Sequence, residues 1–262
     1  MATETPKKDS ARSAIILLIG VLVVAGFTVR YGLQTLTYAE AKSWARTNPW
    51  LNETPEALPP PAPLPDFSKS KDKPVEVKAG NWEFQVPWKG EPKPQSLLTA
   101  TENRFESGQV LVFYDPQAQS DALGDFKKLS PLAYEKFSNV FQGNVPLTNY
   151  ELYRDIYSAS PAQMSPLMPL SDAMRLNVLL LWRISFGLDA QPGIHSFEWT
   201  NARGFEFGDP SKGGPVALRV FDDRDHQFRF LFVTAAGTNG TFTQDDIDFV
   251  IQTLKPIPLE ER

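Results

Sequence analysis

SAIILLIGVLVVAGFTV, residues Ser13–Val29, runs without one charged side chain between Arg12 and Arg30. At about 1.5 Å per residue a helix of this run spans about 26 Å. A hydrocarbon core is about 30 Å thick, so Ser13–Val29 reads as a short membrane-spanning helix whose flanking arginines snorkel to the two interfaces. A cleaved signal peptide is the alternative. Its apolar core would be shorter, with a small-residue cleavage site close behind. Here the Ala-x-Ala tripeptide, Ala39-Glu40-Ala41, lies well beyond the run, so an uncleaved signal-anchor is the expectation. Tyr31, Tyr38 and Trp44 follow as aromatic markers of the bilayer interface.

The direction of the anchor rests on weaker signals. Lys7, Lys8 and Arg12 precede it, and Arg30, Lys42 and Arg46 follow it. That is close to a tie under the positive-inside rule. A short leading tail in front of a large domain favours a cytoplasmic N-terminus and an extracytoplasmic C-terminal domain. The first 46 residues carry six Lys/Arg and three Asp/Glu; the rest carry 20 and 28. An acidic domain does not suit nucleic acid, which is held by Lys/Arg clusters. The chain has no cysteine, which removes disulfides, thiolate catalysis and iron–sulfur ligation together.

The organisation expected behind the anchor is a cytoplasmic tail (1–12), the anchor (13–29), a juxtamembrane segment (30–46), a proline-rich linker (47–79), a soluble domain (80–258) and a short tail (259–262). The linker holds eight prolines, centred on Leu58-Pro-Pro-Pro-Ala-Pro-Leu-Pro65. Such a segment favours extended polyproline II, and at about 3.1 Å per residue it could hold a domain up to roughly 100 Å from the bilayer.

Within the domain, Trp82–Val86 and Gln109–Tyr114 alternate or run apolar as strands do, with Leu97–Asn103 as a partner strand. Ser130 with Pro131 opens a helix carrying Leu132, Tyr134, Phe137, Val140 and Phe141. Thr148 opens a second through Tyr157, and Ser171-Asp172 a third that Gly187 closes. The third is apolar almost all round and reads as buried. Strands return at Ile194–Thr200, Gly204–Gly208, Val216–Phe221 and Gln227–Val233. Thr243 and Asp246 form a capping box for a last helix with Ile247, Val250, Ile251 and Leu254 inward. Segregated runs of strands and helices predict an α+β domain built on an antiparallel sheet. Trp82-x-Phe-x-Val-Pro87-Trp88, the hairpins, the helical insert and the closing strands and helix together resemble the PsbP-like fold of photosystem extrinsic subunits and small bacterial membrane-anchored proteins. That resemblance implies an accessory or binding role and carries over no functional residue.

No nucleophile elbow is present, and His195 and His226 are the two imidazoles. They read as an edge histidine and a hairpin tip. Asp222, Asp223 and Asp225 lack the glycine and distal glutamate of a calcium loop. Gly237-Thr-Asn-Gly240 before a helix fails as a phosphate cradle, because Asp245, Asp246 and Asp248 crowd that helix start with negative charge. Glu198 and Glu206, on adjacent strands among aromatics, are the one carboxylate pair for acid–base work on a sugar. No cofactor and no metal are expected. Ser160–Leu170, SPAQMSPLMPL, concentrates Met, Leu and Pro in a loop. Met repacks easily, so Met164, Leu167 and Met168 are the candidate contact for a protein partner. The competing readings are a loop folded over the third helix and a thioether copper site with Met164, Met168 and Met174. The function expected is a membrane-tethered, non-catalytic interaction or accessory module of a cell-envelope assembly. The alternatives are a small-ligand or lipid-binding domain with a cleft between the sheet and helix 171–186, and a hydrolase with an unrecognised acid pair.

Overall fold

The computed structural model describes residues 8–64, 73–79, 82–114, 135, 141, 148–185, 193–199, 202–222, 224–237 and 240–257, with side chains of the first helix from Val21 onward, Phe27 excepted. Helix α1 (Lys8–Thr47) is 40 residues long and continuous. Its apolar run has no breaker after it, so the helix carries on, and Gln34, Tyr38, Ala41 and Trp44 recur at the three-to-four spacing of one helix face. Among the described residues no helix is long and apolar enough to cross a membrane.

Two sheets and three further helices complete the described fold. Strands β1 (Glu56–Ala57), β4 (Lys93–Ser96), β5 (Ala100–Arg104), β6 (Gln109–Tyr114), β7 (Ile194–Glu198), β8 (Arg203–Phe207), β9 (Val216–Phe221) and β10 (Gln227–Thr234) form the large sheet. Its order is β1-β7-β8-β9-β10-β6-β5-β4. Every pairing is antiparallel except β1 with β7. Strands β2 (Val75–Ala79), β3 (Trp82–Val86) and β11 (Lys255–Pro256) form the small one. The remaining helices are α2 (Asn149–Ser158), α3 (Leu170–Ser185), which starts just before the expected Ser171-Asp172, and α4 (Gln244–Thr253). Thr148 and Thr243 each close a reciprocal capping box, with Glu151 and Asp246. The fold is thus α+β with a large, mostly antiparallel sheet.

Alternation along the strands sorts side chains to two faces. Ile194, Phe205, Phe207 and Phe221 pack under α2, α3 and the C-terminal half of α1. Phe197, Val216, Leu218, Val220, Phe228, Phe230 and Phe232 pack against the small sheet and α4. One face is therefore helical and the other is closed by a second sheet and a helix.

Three expectations need correction. The segment 47–79 is not a free stalk in its described parts. Leu51 is fully buried, Glu56–Ala57 pairs with β7, and Val75–Ala79 pairs with β3. Proline composition misleads here because extended, donor-poor backbone also serves as an edge strand. The juxtamembrane segment does not stand apart either: Tyr38, Ala41 and Trp44 join the helical core instead of marking an interface. Helix α3 is not buried all round, since Met174 and Leu181 are exposed while Arg183 is among its buried residues. The strand expected over Leu97–Asn103 as partner of Gln109–Tyr114 is β5, which starts at Ala100 and pairs with β6; Leu97 and Leu98 lie in the β4–β5 turn before it. The helix expected from Ser130 lies outside the described residues.

Candidate functional site

Helices α1 and α3 lie side by side and run in the same direction. Gln34 Nε2 donates to the carbonyl of Met168, just before α3, and Asn177 Nδ2, two turns into α3, donates to Glu40 Oε2 at 3.3 Å. Ala41, fully buried, gives the close approach between them. At the far end Arg183 ties the layers together. Its guanidinium donates to the carbonyls of Glu53 (2.6 Å), Ala159 (2.7 Å), Leu51 (3.3 Å) and Trp50 (3.4 Å) and lies over the Trp50 ring. Burial pulls its pKa down to about 10.

The Met/Pro loop runs back along this seam, from Ala159 beside Arg183 to Met168 beside Gln34. Of its three candidate contact residues, Met164 is buried in the helical core, Met168 packs half-buried against it, and Leu167 is 86% exposed. The loop is therefore partly the lid over α3 and partly a mount for α1. It presents one large apolar side chain outward rather than three. Met174 is exposed while Met164 is buried, so the three methionines do not converge as a thioether set.

A second feature is an open cleft of about 470 Å³ at the sheet end. Pro60, Pro61 and Leu64 form one wall, and Trp199, Ala202, Ile251 and Gln252 the rest, with Glu198 at its rim. Gln252 Nε2 donates to the carbonyl of Ala62 at 3.3 Å, which holds the proline segment in place. The indole N–H of Trp199 is buried with no acceptor among the described residues. The cleft lies beside α4, not beside α3 where sequence reasoning placed it.

The carboxylate pair separates. Glu198 is opposite Arg203 across β7 and β8, while Glu206 is opposite His195. These positions differ by an odd number of residues, so the two carboxylates leave opposite faces of the sheet. Glu198 accepts from the Tyr150 hydroxyl at 2.6 Å, and burial followed by that bond raises the Tyr150 pKa. Glu206 is 1% exposed. Gln244 Nε2 bridges Glu206 Oε2 (2.8 Å) and Asp248 Oδ1 (2.9 Å), and Glu206 Oε1 has no partner among the described residues. Burial pushes Glu206 up to about 7 and also raises Asp248. Sequence reading singled out Glu206 but missed this company, because Gln244 and Asp248 are some forty residues away.

The acidic hairpin is occupied by the fold. Asp225, at φ 62°, turns its carboxylate onto the start of α2 and accepts from the amides of Asn149 (2.6 Å) and Tyr150 (3.1 Å). Asp222 accepts from the amides of Arg224 and His226 and contacts His226 Nδ1 at 2.8 Å. Among the described residues no cluster of His, Asp or Glu is arranged to hold a metal ion. No protein-family model, curated protein or solved structure matches this chain.

Proposed function

We propose that the protein is a membrane-held, non-catalytic interaction or accessory module of a cell-envelope assembly, with its α+β domain on the extracytoplasmic side. One observation carries this reading. The apolar stretch of α1 continues without a break into a helix face that is buried in the domain. On α1 every described side chain from Val21 to Leu33 is exposed, including Val21, Leu22, Val23, Val24 and Val29. From Gln34 onward one face of the same helix, with Gln34, Tyr38, Ala41 and Trp44, packs into the core. An apolar helix with no cover among the described residues calls for lipid. A helix whose other half packs one face into the core fixes the domain rigidly at the bilayer. The module's reach is then short: Gln34 lies five residues past Val29, about 7.5 Å along the axis.

The test is crosslinking in native membranes of the full chain and of a chain lacking residues 1–29. A membrane-held module gives discrete crosslinked products that vanish when the anchor is removed. Identical products from both chains, or none from either, overturn it. An alkaline phosphatase fused after Arg262 should be active; an inactive fusion reverses the direction of the anchor.

A second reading, a small-ligand or lipid-binding domain, is favoured by the cleft at Trp199. Its volume falls in the range of small-molecule sites, about 300–1,000 Å³, and its lining is mostly apolar. A ligand there would alter indole emission, and Trp199→Phe should abolish that change. A change that survives the substitution places the ligand elsewhere.

A further inference from the structure

Resting on the anchor reading above, we propose that the loop Ser165–Pro169 is seated in the headgroup layer of the bilayer, with Leu167 as an apolar wedge. Helices α1 and α3 run the same way, so the start of α3 and the loop before it face the anchor end of the domain. The bond from Gln34 to the Met168 carbonyl fixes the loop's height on α1. Headgroups occupy about 5–7 Å on each side of a core about 30 Å thick. The apolar run is about 26 Å long, so the hydrocarbon boundary passes Val29 by about 2 Å, and Gln34 stands about 5–6 Å above that boundary. The loop is thus level with the headgroups.

Its chemistry fits that layer. No charged residue occurs from Ile156 to Ser171. Pro161, Pro166 and Pro169 have no amide to leave unpaired. The Met168 amide donates to the Ser165 carbonyl at 3.1 Å and the Leu167 amide to Ser165 Oγ at 3.3 Å. With Gln34 taking the Met168 carbonyl, these loop groups enter a drier layer with their hydrogen bonds already made. Leu167 is 86% exposed, and Leu33 and Leu36 are exposed at the same level of α1. Exposed apolar side chains therefore stand on both the anchor helix and the loop at this height. The same loop meeting a protein is the competing occupant.

The chain has no cysteine, so single cysteines can be introduced and labelled cleanly. The full chain would carry an environment-sensitive fluorophore at Leu167→Cys, at Val24→Cys or at Leu98→Cys. Leu98 sits fully exposed in the β4–β5 turn. Each is reconstituted alone into phosphatidylcholine vesicles containing lipid spin-labelled near the headgroup. Quenching at Val24 and Leu167 with bright emission at Leu98 supports the seating. Quenching at Val24 with bright emission at Leu167 overturns it while leaving the anchor intact, and assigns Leu167 to a protein partner. Bright emission at Val24 overturns the anchor and the seating with it.

Discussion

Glu206→Gln should stabilise the protein above neutral pH and destabilise it slightly in acid. The carboxyl is 1% exposed, and burial moves it from 4.5 to about 7. An unfolded chain releases this proton near 4.5; the folded chain holds it to about 7. Between those values the folded state binds more protons, so stability falls as pH rises. The contribution is complete below the unfolded value and lost once the pH passes the folded one. At about 1.4 kcal/mol for each factor of ten in proton affinity, the interval amounts to about 3 kcal/mol. Gln keeps an acceptor for Gln244, and its own amide must be placed where Oε1 has no partner among the described residues, at a cost of about 1 kcal/mol. The expected net effect is a gain of about 2 kcal/mol at about pH 8 and a loss of about 1 kcal/mol at about pH 4. Urea midpoints of the detergent-solubilised full chain, wild type beside variant at both pH values, measure the difference. Asp248, also raised by burial, leaves both proteins a residual slope of the same sign. A variant less stable than wild type at the higher pH, or a difference independent of pH, refutes the reasoning. Either result means the ionised Glu206 is solvated or paired in the folded protein.

Arg183→Met removes two short charge-assisted bonds, to Glu53 and Ala159, and strands their carbonyls beneath α3. A loss of about 3 kcal/mol is expected in thermal or urea unfolding, and a loss below about 1 kcal/mol would show that the guanidinium's desolvation cancels its bonds. Asp225→Ala should cost about 1–2 kcal/mol by uncapping α2 and by placing Ala at positive φ, whereas Asp225→Asn should retain most of the stability; equal losses in the two would remove the cap from the explanation. At Gly204 a Cβ would lie 2.2 Å from the Arg219 carbonyl oxygen and 2.8 Å from the Phe197 ring, both within the packed sheet. Gly204→Ala should therefore fold poorly or lose more than about 2 kcal/mol, and a wild-type melting curve for it would contradict the close approach of β8 and β9.

The sequence alone determined what depends on local pattern. Seventeen uncharged residues from Ser13 to Val29 define an apolar helix, because hydropathy is additive along a run. Thr148 and Thr243 announced their helices, since a cap satisfies amides only three residues away. Pattern in Trp82–Val86 and in Val216–Phe221 announced strands that the structure has at those residues. The tertiary structure decided what depends on partners distant in the chain. It took the proline-rich segment from stalk to edge strand, because β7 supplies the hydrogen bonds that proline composition cannot reveal. Register set Glu198 and Glu206 on opposite faces and gave Glu206 to Gln244 and Asp248. Packing against α3 turned Gln34 to Trp44 from juxtamembrane chain into core. It reduced three candidate contact residues to one exposed leucine, in the loop that Gln34 of α1 holds.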